Sequence, residues 1–252
     1  MTGYRKLLAP RWLLIHALVV VLVGVMANLS LWQFQRLDER KEFNQQVRAN
    51  AAQPPVGLAE LIELPIGDIE WRKVIVSGTF RPADEVIVLN RSQDGTAGYD
   101  PLTPLDTTIG TDAYVVLVDR GFVPLATDTP PPPTGQIEFL GRVRLSQERR
   151  LGALTDPAEG VLDEVQRIDV ERLSGQMATA SSQEVLPFYV DLLESPAITS
   201  NLPARVADPE LSNGSHLSYA IQWIIFSLCA VAAWVFLVRK ALRPAQPSSA
   251  QE

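Results

Sequence analysis

The sequence predicts a membrane protein, with two transmembrane helices flanking a mainly antiparallel β (α+β) extramembrane domain. Three observations carry that reading. Residues 13–31 contain no Asp, Glu, Lys or Arg, and neither do the 22 residues from Leu217 to Val238. At 1.5 Å per residue the second run makes roughly 33 Å of helix, enough to cross the hydrocarbon of a bilayer. Between the two runs, apolar residues recur at period two, the spacing of strands with one buried face.

The first run has features of a signal peptide: basic residues before it and Val25-Met26-Ala27 near its end. Its 19 uncharged residues exceed the ~7–15 of a cleavable apolar region, however. It also flows without a turn signal into a helical pattern, so we read it as an uncleaved anchor. The 12 residues before it are too few for an organelle transit peptide, which points to a bacterial cell membrane. Basic residues set the orientation. Arg239, Lys240 and Arg243 follow the second span, against Arg205 alone in the twenty residues before it. Around the first span Arg36, Arg40, Lys41 and Arg48 outnumber Arg5, Lys6 and Arg11. The total favours two cytoplasmic tails (1–12 and 239–252) and an extracytoplasmic domain (32–216) by six to five. Trp12, Trp32, Trp223 and Trp234 lie towards the ends of the spans, as an aromatic belt does.

The first helix is expected to leave the membrane as a stalk over residues 32–50, until Gln53-Pro54-Pro55 ends it. A short helix over residues 57–64 follows. In Lys73–Phe80, the residues Val74, Val76, Gly78 and Phe80 share one face. Glu85–Asn90 and Tyr114–Asp119 are continuously apolar and read as strands buried on both sides. Gly95–Gly98 marks a turn, and Asp128–Pro133 an exposed proline-rich connection. Ile137–Leu145 alternates, Asp169 can cap a helix over residues 170–180, and Val185–Asp191 reads as a last strand, with Pro187 at an edge or bulge. Residues 194–215 form a polar tether.

Removing the charged residues of the two tails leaves 16 basic and 28 acidic residues in the middle, a net charge of −12. A surface that acidic argues against nucleic acid as a partner. Cys229 is the only cysteine and there are two histidines, so a protein-only metal site is not expected. The middle domain holds no histidine before His216, which excludes a Ser-His-Asp or Cys-His arrangement inside it. No phosphate loop, dinucleotide fingerprint or nucleophile elbow is present, and we expect no enzyme activity.

Two basic residues stand at the ends of apolar strands. Arg91 and Arg120 either pair carboxylates such as Asp100 and Asp119, or together form a patch that binds a partner. His216, Tyr219 and Trp223 open the second span at i, i+3, i+7, one face of a helix. His216 has three readings: an interfacial anchor, a hydrogen-bond partner of Asn28 or Ser30 on the first span, or a ligand to haem iron.

Read together, these stretches resemble the surfeit locus protein one family of cytochrome c oxidase assembly factors. Trp32-Gln33-x-x-Arg36-Leu37 follows the first span, then come Val74-x-Val76-x-Gly78-x-Phe80 and Asn90-Arg91 with Gly98-Tyr99 and Leu105. Val118-Asp119-Arg120-Gly121-Phe122-Val123-Pro124 and His216-Leu217-x-Tyr219-Ala220-x-Gln222-Trp223 complete the set. Ser30, Phe122 and Ile224 depart from the family pattern, which typically has glycine, tryptophan and an aromatic residue at these positions.

The resemblance implies a helper in building haem–copper terminal oxidases, associated with delivering haem a to the catalytic subunit and having no catalytic turnover. It implies that His216 is the haem-associated histidine, with Tyr219 and Trp223 contacting the macrocycle during a transient association. Trp32, Gln33, Arg36, Arg91 and Arg120 become candidates for binding the oxidase catalytic subunit. Membrane lipid surrounds the spans, and haem a synthase or other assembly factors are further expected partners. A stable accessory subunit of the respiratory complex is the alternative. His16 lies near the inner end of its span and His216 near the outer end of the other. The two are expected roughly 22 Å apart in depth, too far to ligate one iron.

Overall fold

The computed structural model describes residues 2–147, 154–177, 183–198 and 200–243. The predicted end of the helix at 178–180 and most of the C-terminal tail lie outside the described residues. The chain divides into two units: residues up to Gln45 with those from Leu211 onward, and residues Gln46–Glu210.

The first unit is helical. It contains α1 (Thr2–Lys6), most of α2 (Pro10–Ala51), and α6 (His216–Leu242). Both long helices are long and apolar enough to cross a membrane. The predicted first span and stalk are one helix because Pro10 stands at its first position and no other proline interrupts it before Pro54. Along α2 the residues turned inward include Trp12, His16, Val19, Val23, Met26, Ser30, Gln33, Leu37, Arg40 and Asn44. On α6 they are His216, Ala220, Trp223, Ser227, Ala230 and Trp234. Both series step by alternating threes and fours, the spacing that keeps one helical stripe facing a neighbour. The helices run antiparallel and are joined at three levels: Gln33 with His216, Ser30 with Ala220, and His16 with Trp234.

The second unit is a β domain. Its strands are β1 (Val56–Gly57), β2 (Lys73–Phe80), β3 (Val86–Gln93), β4 (Thr96–Ile109), β5 (Asp112–Asp119), β6 (Val123–Pro124), β7 (Gln136–Leu145), β8 (Glu164–Val165) and β9 (Glu184–Glu194). Single helical turns at α3 (Leu58–Leu61) and α4 (Ile66–Ile69), and the helix α5 (Val170–Met177), complete it. The order β2-β7-β9-β5-β4 closes on itself, because β4 returns to pair β2 at Thr79↔Asp106 and Phe80↔Leu105. The sheet is mainly antiparallel, with parallel pairings at β1–β2, β3–β8 and β5–β9. The closed part is a five-stranded barrel filled by side chains such as Val76, Phe80, Leu105, Val118, Phe139 and Val190. A second core lies on the outer face, where Leu102, Leu117 and Tyr189 meet Ile168, Leu173 and Met177.

These two cores explain the apolar runs. In β5, Val116 and Val118 enter the barrel while Leu117 enters the outer core, so that strand is buried on both sides as predicted. In β3 only Val86 and Val88 are buried, and Ile87 and Leu89 are half-exposed. That expectation is corrected: β3 lies outside the closed barrel and is covered on one face. The turn predicted at Gly95–Gly98 lies earlier, at the two-residue hairpin Asp94-Gly95 with φ of 51° and 77°; Thr96–Gly98 already belong to β4, which joins β3 at the pair Gln93↔Thr96.

Closure depends on Gly78. A Cβ there would lie 2.3 Å from the Asp106 carbonyl oxygen and 2.7 Å from Leu105 Cδ2, so the β2–β4 contact needs the missing side chain. Gly78→Ala is expected to lower stability by about 1–3 kcal/mol, the usual cost of overpacking. Gly57→Ala, with nothing within 4 Å, is the control and should melt with the parent. Thermal unfolding of the full chain in detergent, followed by circular dichroism, makes the comparison.

Candidate functional site

The helical unit places its polar groups in an ordered set. His216, the first residue of α6, lies on the stripe facing α2, and its Nδ1 is 2.8 Å from Gln33 Oε1. A carbonyl oxygen only accepts, so Nδ1 carries the proton and donates it. In the neutral ring the other nitrogen, Nε2, keeps its lone pair, the arrangement in which a second hydrogen bond orients a metal-ligating histidine. One turn further in, Ser30 Oγ donates to the Ala220 carbonyl at 3.0 Å, in a buried contact. The loop before α6 is held on the stalk: Asn44 Nδ2 donates to the Leu211 carbonyl and to Asn213 Oδ1, each at 3.0 Å, and Arg40 Nε donates to the Ser212 carbonyl at 3.1 Å.

The i, i+3, i+7 face is split by this packing. His216 and Trp223 belong to the inward stripe, and Trp223 meets Phe226 edge-on at 6.0 Å. Tyr219 lies off the stripe and is 49 % exposed, as is Trp32 on the other helix. Arg36 pairs Glu39 at 2.7 Å on the outer surface of the stalk. Of the predicted residues, the unit therefore joins Gln33 to His216 and leaves Trp32, Arg36 and Tyr219 outward. Asn28 is outward as well, so the partners on α2 are Gln33, in the stalk, for His216 and Ser30, in the first span, for Ala220. At the opposite end, His16 accepts a hydrogen bond at Nδ1 from Trp234 Nε1, at 2.8 Å, with Trp12 tilted beside it.

The β domain carries a second polar concentration. Arg120 is 3 % exposed and uses its whole fork: Nη2 meets Glu85 at 2.7 Å, Nε donates to Thr103 Oγ1 at 2.8 Å, and Nη1 donates to the Pro130 carbonyl at 2.9 Å. Its carboxylate is thus Glu85, not the Asp119 or Asp100 suggested by position along the strands. Arg91 does meet Asp100, Nε to Oδ2 at 3.0 Å. Arg142, which sequence reasoning did not single out, holds Asp191 through Nε and Nη2 at 2.9 and 2.8 Å and Asp208 through Nη1 at 2.7 Å. Asp119 and Asp191 are register partners on β5 and β9, and the buried Asp119 carboxylate accepts the Gly121 N–H at 3.0 Å. Burial first, then the charges of Asp100 and Asp191, push the Asp119 carboxyl well above the usual range. Asp100 is pushed up to about 6 by burial, against the opposing pull of Arg91. Among the described residues, no group of three or more His, Cys, Asp or Glu side chains is placed to hold a metal ion.

Comparison with known proteins adds the decisive observation. The SURF1 family profile matches residues 20–228, a stretch that contains both Gln33 and His216. The chain belongs to the SURF1 family. An uncharacterized SURF1-like protein of Mycobacterium tuberculosis is 30 % identical over 233 residues, covering 89 % of this chain and 82 % of that one. A counterpart in Mycobacterium bovis matches to the same extent. A SURF1-like protein of Rickettsia felis is 24 % identical over 241 residues, covering 90 % of this chain and 98 % of the relative.

The stretches that carry the SURF1 resemblance fall at nodes of the structure. Gln33 and His216 meet; Gly78 closes the barrel; Arg91 meets Asp100; and Asp119-Arg120-Gly121 ends β5. The raised Asp100 carboxyl has a consequence whose sign is fixed. The native state holds this proton to higher pH than the unfolded chain, so the favourable contribution is complete below about pH 3.8 and gone above about pH 6. The gap is of order 3 kcal/mol. Asp100→Asn lacks the titration, so its melting temperature should gain on the parent's by several degrees as pH rises from 4 to 7. Parallel melting profiles for the two proteins across that window would remove the claim.

Proposed function

We propose that this chain is a membrane-anchored assembly factor for a haem–copper terminal oxidase. In this reading it aids haem a insertion into the catalytic subunit during cytochrome c oxidase biogenesis and has no turnover of its own. The observation that carries it is the Gln33–His216 contact, which leaves one imidazole nitrogen of His216 with a free lone pair at the end of α6. Membership of the SURF1 family supports the same reading. Haem a is then cargo: His216 Nε2 would supply the bond to iron, and Tyr219 and Trp223, one and two turns along, would supply apolar and aromatic surface to the ring. In the helical unit the candidates for partner contact are Trp32 and Arg36, which face outward; in the β domain the candidate is Arg91, which pairs Asp100. Arg120 has its donors engaged and supports the barrel instead.

His16 is 17 residues from Gln33 along α2, roughly 25 Å, and so cannot share an iron with His216. Any second ligand comes from a partner, from another copy, or is lacking. His216→Ala is expected to leave the protein inserted and folded but to lower the haem a retained on purification, while His16→Ala retains parental haem. Equal retention in His216→Ala and the parent would remove the ligand role. Fractionation tests the wider role: the protein should accompany immature oxidase intermediates, and stoichiometric recovery with the mature complex would instead make it an accessory subunit.

The placement proposed is a bacterial cell membrane, with both termini in the cytoplasm and the β domain outside. With Cys229 replaced by alanine, a cysteine at Asp128 should react with a membrane-impermeant thiol reagent in intact spheroplasts, and one at Ser248 should not. The reverse pattern would invert the orientation.

A further inference from the structure

We infer that the chain's two histidines are held in opposite tautomers by residues of the other long helix, and that Gln33 is the positioning residue that makes His216, not His16, competent to bind metal. The argument starts from what each partner can do. An indole N–H is a donor only, so the Trp234 bond of 2.8 Å commits the His16 Nδ1 lone pair. In the neutral ring the remaining nitrogen, Nε2, must then carry the proton, and His16 has no lone pair left for a metal. At His216 the partner is an amide oxygen, an acceptor only, so the proton sits on Nδ1 and the lone pair on Nε2.

Gly214, at φ +65°, stands beside that nitrogen: a Cβ there would lie 3.5 Å from Nε2 and 3.4 Å from the adjacent ring carbon, an ordinary van der Waals contact. No hydrogen bond to Nε2 is present among the described residues. The two rings thus have the same chemistry and opposite roles. At one end of the helix pair, a donor closes the ligand position; at the other, an acceptor opens it. The tautomers follow from hydrogen bonding alone. That the metal is haem iron rests on the assembly-factor reading above.

With two histidines in the chain, the test is direct. Full-length protein labelled with ¹⁵N-histidine, in detergent micelles at mildly alkaline pH, gives two imidazole patterns, assigned by His16→Ala and His216→Ala. The expected result is a protonated Nδ1 and unprotonated Nε2 for His216, and the reverse for His16. Gln33→Leu should shift His216 towards the Nε2-protonated form, and Gln33→Glu, whose carboxylate also accepts, should restore Nδ1–H. Added ferric haem then reads the consequence: Gln33→Leu weakens its affinity roughly 10- to 100-fold, the usual effect of losing an orienting partner, and Gln33→Glu recovers it. A protonated Nε2 on parental His216 overturns the inference, and so does unchanged haem affinity in Gln33→Leu. If the nitrogen spectra are as expected but the parent binds no ferric haem, the tautomer assignment stands and the haem-cargo reading falls.

Discussion

A guanidinium taken almost wholly out of water must bring its hydrogen-bond partners with it, and Arg120 shows how this orders the β domain. Desolvating an unpaired charge costs several kcal/mol, more than most single contacts return. Glu85, Thr103 and the Pro130 carbonyl come from three separated parts of the chain, and all must be in place for Arg120 to be buried. Arg142 repeats the pattern with Asp191 and Asp208. The helical unit obeys the same rule with neutral groups: His216, Ser30 and His16 each face inward only where Gln33, the Ala220 carbonyl and Trp234 receive them.

That rule separates what was legible in the sequence from what was not. β2 and β7 alternate, β9 is a largely apolar run, and the structure places all three within a few residues of the predicted ends. The longest strand, β4, escaped detection because Pro101, Pro104, Asp100 and Asp106 break the apolar pattern. The two prolines donate nothing to the ladder, but their carbonyls stay in use: Arg120 N–H donates to Pro101 and Arg81 N–H to Pro104. Closure through β2 and β4 rests on register, which alternation alone does not specify. The partner of Arg120 was equally hidden, since Glu85 is 35 residues away, just before β3.

The candidate site was half legible. The residue types at the start of α6 marked it, and matching depths pointed to the right region of the first span. The face was read too broadly. Spacing of i, i+3, i+7 covers one side of a helix, but a helix packed on one neighbour buries a narrower stripe, here His216, Ala220 and Trp223 without Tyr219. The same narrowness favours Gln33 and Ser30 over Asn28 on α2. The alternating three-and-four spacing from Met26 to Asn44 held that information, because only one such series places Ser30 and Leu37 on the inward side.

Ser30 stands where the resemblance set out from the sequence leads one to expect glycine. Its hydroxyl adds one interhelical hydrogen bond, worth only about 0.6 kcal/mol on average between membrane helices, too little to hold two spans together. Its effect is rotational. Ser30 and Gln33 share a face of α2, and Ala220 and His216 share a face of α6, each pair about one turn apart. Fixing the Ser30–Ala220 contact therefore fixes which side of each helix meets the other at the next level, where Gln33 must reach the imidazole. A glycine would leave that rotation to packing by the larger residues of the stripe. The substitution thus trades a smooth apolar crossing for a directional one, and the side chain whose aim it improves is His216.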